Sequence, residues 1–213
     1  MHFHDALKYR YATKKFDRSK GLERSVLNAC LESARLAPSS YGLQPYRYLV
    51  ISDRSIRDKL SPVCYGQPQI LDSAFLIIGQ ARKMIDEDFI NQYIAEIAVQ
   101  RNQSIESLNA YRDIMIAQIA QGKTPSEQLT WAQHQLYLSA GIFIAHAASE
   151  KIDVCPMEGF SQKGVDAVIN GLSDSLYQST LILAAGYRDH SDPYLQLKKF
   201  RRPFERFVQE ITI

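Results

Sequence analysis

Apolar residues recur along the chain at spacings that divide it into helices and strands. Phe3, Leu7 and Arg10 sit at helical spacing and predict a short opening helix over Phe3–Arg10. Arg10-Tyr-Ala-Thr-Lys14-Lys15-Phe16-Asp17 breaks that pattern. Val26, Leu27, Cys30, Leu31 and Ala34 form one face of an amphipathic helix over Glu23–Leu36. A hydroxyl-rich turn, Ala37-Pro38-Ser39-Ser40-Tyr41-Gly42, ends it. Alternation of Tyr46, Tyr48 and Val50 predicts a strand over Tyr46–Ser52, followed by a helix Ser55–Leu60 capped by Asp53. Pro62–Gln69 reads as a turn and Ala74–Gly79 as a short buried strand.

The middle of the chain is helical. Asp86–Gln100 and Ile105–Gln121 carry Gln, Asn and Glu on one side and Ile, Leu and Met on the other, an excursion laid over something else. Pro125 suits the first turn of the longest helix, Ser126–Glu150. From Leu136 that helix is apolar nearly all round, which predicts burial in the core and against a partner chain. Lys151–Phe160 lies between this helix and a segment Ser161–Ile169, with a Pro-X-Glu-Gly turn at Pro156–Gly159. Thr180–Ala185 is the next strand, ended by Gly186. The tail, punctuated by Pro193 and Pro203, closes on an alternation of Phe207, Gln209, Ile211 and Ile213 with Val208, Glu210 and Thr212. That is an edge-seeking strand, paired either within its own chain or with another subunit's sheet.

Composition narrows the classes. A chain of 213 residues, 46% hydrophobic, holds one sizeable core. Its 25 Lys+Arg against 23 Asp+Glu give a net charge of +2, which argues against a general nucleic-acid binder. Cys30, Cys64 and Cys155 are scattered, without a C-x-x-C pair, and fit a reducing compartment. The opening Met-His-Phe-His-Asp has neither a basic n-region nor an apolar h-region, and no apolar run reaches membrane-spanning length. The expectation is a soluble cytoplasmic protein with no membrane partner. His2, His4, His134, His146 and His190 are dispersed at spacings that make no metal site. No G-x-G-x-x-G, Walker loop, H-E-x-x-H or G-x-S-x-G occurs.

Two features carry chemistry. Pro156-Met157-Glu158-Gly159 is either a plain loop or a turn whose main-chain N–H groups hold a flat heterocycle, with Gly159 free to take φ > 0. Arg10 and Lys14 near one end and Lys199 and Arg201 near the other are a divided set of cations. For Arg10 and Lys14 one reading is favourable interaction with a helix C-terminus; for Lys198–Arg202 it is a solvated charge run. The other reading is convergence of the set on one phosphate.

Arg10-Tyr-Ala-Thr-Lys14, Pro38-Ser39-Ser40-x-x-x-Gln44-Pro45, Trp131-x-x-x-Gln135, Pro156-Met157-Glu158-Gly159-Phe160, and Gly186-Tyr187 with Lys199-x-Arg201 follow one another in this order. Together they resemble the nitroreductase family of FMN-dependent oxidoreductases, near the oxygen-insensitive NAD(P)H nitroreductase and dihydropteridine reductase branch. The resemblance runs from residue 5 to the end of the chain. It implies an α+β fold, a three-layer sandwich whose mostly antiparallel sheet is flanked by helices and completed by the partner's C-terminal strand. Residues 1–213 would form one domain, with 86–121 an excursion over the active site and 187–213 a tail embracing the second subunit of a homodimer. The implied cofactor is FMN, with NADH or NADPH as reductant. The implied reaction is ping-pong hydride transfer to an electron-poor aromatic or quinone, the flavin N5 rather than a side chain carrying the chemistry. A flavin-binding or flavin-consuming protein of the same fold, without NAD(P)H turnover, is the alternative.

Position by position, the resemblance assigns Arg10, Lys199 and Arg201 to the phosphate, with Ala12 where the family often has Ser, beside Tyr11. Lys14 falls near the flavin N1/O2 edge, where a fixed cation supports the reduced ring. The backbone N–H groups around Glu158 and Gly159 match the donors to N5 and O4, and Pro156 and Met157 of the same turn are also assigned to the cofactor. Pro38, Ser39, Ser40 and Gln44 would come from the partner subunit. Gly66 and Gln69 stand where close relatives often have Asn and Lys. Gln69 still hydrogen-bonds but brings no charge, which predicts a lower flavin potential. Phe89, Tyr93 and Tyr111 of the excursion are candidates for substrate contact or for core packing.

Overall fold

The computed structural model describes residues 1–170 and 175–212. Among these, four strands form one antiparallel sheet in the order β1-β2-β4-β3: β1 Tyr46–Ile51, β2 Phe75–Arg82, β3 Asp153–Met157 and β4 Tyr177–Gly186. Successive side chains point to opposite faces, so each inner strand feeds two cores. Leu76, Ile78, Ile182 and Ala184 face one layer, made by α3 (Arg54–Val63), the short α4 (Gln69–Asp72) and α8 (Gln162–Asn170). Ile77, Leu181, Leu183 and Ala185 face the other, made by α2 (Arg24–Arg35) and α7 (Pro125–Ser149). The fold is therefore the α+β sandwich that the resemblance implied.

Local chemistry sets the helix ends. Asp53 accepts the Ile56 N–H at the start of α3, and Thr124 and Glu127 form a reciprocal capping box at the start of α7 with Pro125 in the first turn. The excursion is α5 (Glu87–Arg101), a 3₁₀ turn, α6 (Asn109–Met115) and one π-helical turn, Ile116–Ala120. Its apolar side closes a third cluster around Ile90, Ile94, Met115 and Ile119. Gln128 of α7 locks it down, accepting from Ile85 N (2.7 Å) and donating to the carbonyls of Ile119 and Ala120.

Several expectations need correction. The stretch from Lys151 to Phe160, read as holding a turn at Pro156–Gly159 and no strand, contains β3, which takes in Pro156 and Met157; only Glu158–Gly159 beyond it lacks regular structure before the bend at Phe160. Pro156 concealed the strand, but β3 is the sheet edge, where a missing N–H costs no ladder bond. β2 runs past the expected Gly79 to Arg82 across a bulge at Gly79/Gln80, and β4 begins at Tyr177. α3 carries Pro62 inside its last turn, and Gln69 begins α4. Among the described residues the alternating tail forms no strand: α9 (Phe204–Phe207) is one helical turn closed by the Val208 N–H, and residues 208–212 join no sheet, while Ile213 lies outside the described residues. Phe207 is 79% and Ile211 91% exposed. No helix among the described residues is long and apolar enough to cross a membrane.

Candidate functional site

After α1 (Phe3–Tyr9), the chain leaves helical geometry at Arg10 and runs beside β3, Ala12 bridging to Val154 in parallel. One carboxylate holds this run in place. Asp192 Oδ2 accepts the N–H of Lys14 (2.8 Å), the N–H of Lys15 (3.1 Å) and the Tyr11 hydroxyl (3.0 Å), while Oδ1 accepts Tyr194 N–H (2.9 Å). Burial alone would raise the Asp192 pKa, but the donors of Lys14, Tyr194, Tyr11 and Lys15 outweigh it and hold the carboxyl below its ordinary range. Burial, then the same carboxylate, pushes the Tyr11 phenol upward.

This clamp brings the two ends of the chain together. A cleft of ≈ 350 Å³ is walled by Arg10, Tyr11, Ala12, Lys14, Lys199 and Arg201. Arg10 Nε is buried without a partner. Burial, then the charge of Arg201, lowers the Arg10 pKa; burial, then Arg10, Arg201 and Arg188, lowers that of Lys199. Among the described residues none of Arg10, Lys199 and Arg201 is paired with a carboxylate. Lys199 sits on the C-terminus of α1, donating to the carbonyls of Leu7 (2.6 Å) and Lys8 (3.0 Å), beside Arg10, which is the helix's C-cap residue.

Deeper in, Lys14 Nζ approaches Cys155 Sγ of β3 at 3.7 Å, and Gln69 Nε2 approaches the same sulfur at 4.0 Å. Burial raises the Cys155 thiol pKa against the opposing effects of Lys14 and Gln69. Gln69 is only 4% exposed and its Oε1 has no donor. Pro156, Met157, Glu158 and Gly159 follow directly along the chain. The Glu158 and Gly159 N–H groups find no acceptor among the described residues. Gly159 does not use left-handed freedom; among the described residues the glycines that do are Gly42 (67°) and Gly66 (65°). Tyr137 of α7 donates to Glu158 Oε1 (2.6 Å), and Gln67 Nε2 donates to the Gly159 carbonyl (2.6 Å).

The other expected site residues do not join this group. Pro38, Ser39, Ser40 and Gln44 precede β1, at the sheet edge opposite β3. Three inter-strand steps put the two edges on the order of 14 Å apart. The Trp131-x-x-x-Gln135 motif serves this second segment: Gln135 Oε1 accepts Ser40 N–H at 2.8 Å. Ser39 Oγ accepts Gln44 N–H, and the Gln44 amide donates to the Arg35 carbonyl at the end of α2. Tyr93 and Tyr111 both donate to the Tyr41 carbonyl (2.7 and 2.6 Å), so the excursion is anchored on this segment; Phe89 lies under the Arg82 guanidinium.

The donor set fits FMN. Crowded cations around a buried, unpartnered guanidinium nitrogen suit a phosphate, unspent peptide N–H groups suit the polar edge of a flat ring, and the Gln69 oxygen requires a donor. Among the described residues no cluster suits a metal ion. The residues that orient the site were not singled out from the sequence: Asp192, Gln67, Tyr137 and Cys155. Only Asp192-Pro193 carries a local signature, a side-chain cap before a proline.

The nitroreductase family model matches residues 7–187. A Staphylococcus saprophyticus protein provisionally named NAD(P)H nitroreductase is 34% identical over 194 residues, covering 87% of each chain. A Bacillus subtilis structure provisionally described as a nitroreductase has a TM-score of 0.86 at 20% identity, with 98% of each chain covered. An Exiguobacterium sibiricum structure of like description, in complex with FMN, has a TM-score of 0.82 at 20% identity, covering 99% of this chain and 98% of that one.

Proposed function

The chain belongs to the nitroreductase family, and from that premise we propose that it is an FMN-dependent NAD(P)H oxidoreductase that reduces nitroaromatics or quinones by ping-pong two-electron transfer. The observation that carries this reading is the cleft where Arg10, Lys14, Lys199 and Arg201 gather with none of their side chains ion-paired to a carboxylate among the described residues, beside the unspent N–H groups of Glu158 and Gly159. Bound FMN supplies a two-electron carrier that takes hydride from NAD(P)H and returns it to an electron-poor acceptor. Arg10, Lys199 and Arg201 hold its phosphate; each is charged and none is committed to a carboxylate, so binding the anion relieves their mutual repulsion. Lys14 keeps a fixed positive charge near the pyrimidine edge, and the Glu158 and Gly159 N–H groups orient the opposite edge.

Two copies of the chain complete the site. The Pro38–Gln44 segment is stranded at the far sheet edge of its own chain, so in a homodimer it serves the partner's flavin. Tyr137, Leu138 and Ile142 lie exposed along α7, an apolar stripe suited to a second copy, and the tail beyond α9, with Phe207 and Ile211 exposed, is free to extend the partner's sheet.

The visible spectrum of the purified protein tests this. A yellow dimer, bleached anaerobically by NADH or NADPH and reoxidised by a quinone, is expected. A colourless protein unable to take up added FMN refutes it, and a yellow protein inert to both nucleotides refutes the NAD(P)H-dependent half.

A further inference from the structure

We infer that Gln67, with Tyr137 opposite it, is a positioning residue that aims the Gly159 N–H group at the ligand. This rests on the flavin reading above. Gln67 follows two left-handed residues, Tyr65 and Gly66, which fold the chain back after α3; its own N–H donates to the Cys64 carbonyl at 3.3 Å. Its side-chain amide donates to the Cys64 carbonyl (3.1 Å) and to the Gly159 carbonyl (2.6 Å), joining the end of α3 to the turn beyond β3.

The direction of that bond matters because peptides are planar and trans, with C=O and N–H pointing oppositely. Holding the Gly159 carbonyl fixes the Gly159–Phe160 peptide and so the Phe160 N–H. That N–H donates to the Glu158 carbonyl at 2.9 Å. The Glu158 carbonyl belongs to the same plane as the Gly159 N–H, which is thereby turned the other way, with no acceptor among the described residues. One side-chain donor thus sets two consecutive peptide planes. The next residue is tied too, Ser161 N–H donating to the Val63 carbonyl at 2.8 Å. From the α7 side, the Tyr137 hydroxyl holds the Glu158 side chain at 2.6 Å, and burial together with Glu158 raises that phenol's pKa. The turn is therefore restrained from two layers of the sandwich. Among the described residues the one atom that a Gly159 Cβ would meet within 4 Å is Gln67 Nε2, at 3.6 Å, an ordinary contact, so Gln67 also marks the closest inner wall of the turn.

Gln67→Leu removes the donor at similar size, Gln67→Glu replaces it with an acceptor, and Tyr137→Phe removes the outer hold at a half-exposed position. In the apoprotein, amide exchange of Phe160 should quicken roughly 3- to 10-fold in Gln67→Leu, the worth of one hydrogen bond. FMN should bind about as many times more weakly, with its long-wavelength band shifted from that of wild type. In Gln67→Glu the shift should recede as pH falls and the new carboxyl regains a proton to donate. Tyr137→Phe, the variant least able to disturb folding, should give a smaller loss in the same direction. If wild type binds FMN while all three variants match it in exchange, affinity and spectrum, the inference is wrong and the flavin reading stands. If wild type takes up no FMN, the flavin reading fails and takes this inference with it.

Discussion

Replacing Asp192 with Asn tests whether one carboxylate joins the two ends of the chain. Asp192 is 1% exposed and accepts four hydrogen bonds, three on Oδ2 and one on Oδ1. An amide offers one oxygen. Its better orientation keeps that oxygen toward Lys14, Lys15 and Tyr11 and turns NH₂ against the Tyr194 N–H, leaving one buried donor unpaired at about 1–3 kcal/mol. The three surviving bonds lose their charge, at about 1 kcal/mol each. Relief of the desolvation of a buried carboxylate offsets a few kcal/mol of this, so the net loss should be about 2–3 kcal/mol. For a chain of this length that lowers the apoprotein Tm by roughly 5–10 °C. Because Lys14 and the cleft wall hang on the same clamp, FMN affinity should fall by about tenfold or more. The effect has a definite pH sign. The folded-state pKa is depressed below the ordinary 3.8, so the stabilisation is complete above that value and is lost as pH falls through the lower folded value. The Tm gap between wild type and Asp192→Asn should therefore be widest near neutrality and close in acid. Scanning calorimetry from pH 7 to pH 3 and titration of the apoprotein with FMN measure both. An unchanged Tm and FMN affinity, or a gap that widens in acid, refutes the reasoning.

Gln69→Lys should raise the flavin midpoint potential, since the new ammonium is buried beside Cys155 and adds to Lys14. A favourable interaction of about 2 kcal/mol with the reduced ring corresponds to roughly 40 mV for a two-electron couple; an unchanged or lowered value in anaerobic redox titration contradicts it. Deleting residues 203–213 should weaken the proposed homodimer by at least about tenfold and release FMN, because Phe204, Phe207 and Ile211, exposed in the single chain, would each lose burial against the partner worth about 1.5–3 kcal/mol. Sedimentation velocity across a dilution series reads this directly, and a truncated chain that dimerises and holds FMN like wild type rules it out.

What the sequence made legible follows the range of the forces involved. Helices α2, α3, α5 and α7 and strand β1 announced themselves through apolar spacing and neighbouring caps such as Asp53 and Pro125, all within a turn or two of chain. β3 was missed because its evidence is not local. Pro156 argues against a strand unless the strand is known to lie at an edge, and Val154, Cys155 and Met157 are buried only through contacts with distant elements. The tail was half legible: its alternation is plain, but the sheet it would join is not specified by its own residues.

The same division runs through the site. Residues that would touch the ligand could be named by resemblance, because their motifs recur in order along the chain. The residues that hold them could not, since each is a lone polar side chain whose partner lies far off: Asp192 is 178 positions from Lys14, Gln67 is 92 from Gly159, and Tyr137 is 21 from Glu158. The cations show why neither kind of reasoning suffices alone. From the sequence, Arg10 and Lys14 fitted a helix C-terminus as well as a phosphate, and Lys199 fitted a solvated run. In the fold Lys199 sits on the α1 carbonyls and in the cleft at once, within reach of Arg10 and Arg201 in charge if not in contact. A lysine that caps the helix leading into Arg10 couples the helix end to the anion site, so the placement of α1 and the geometry of the phosphate cleft are one structural problem rather than two.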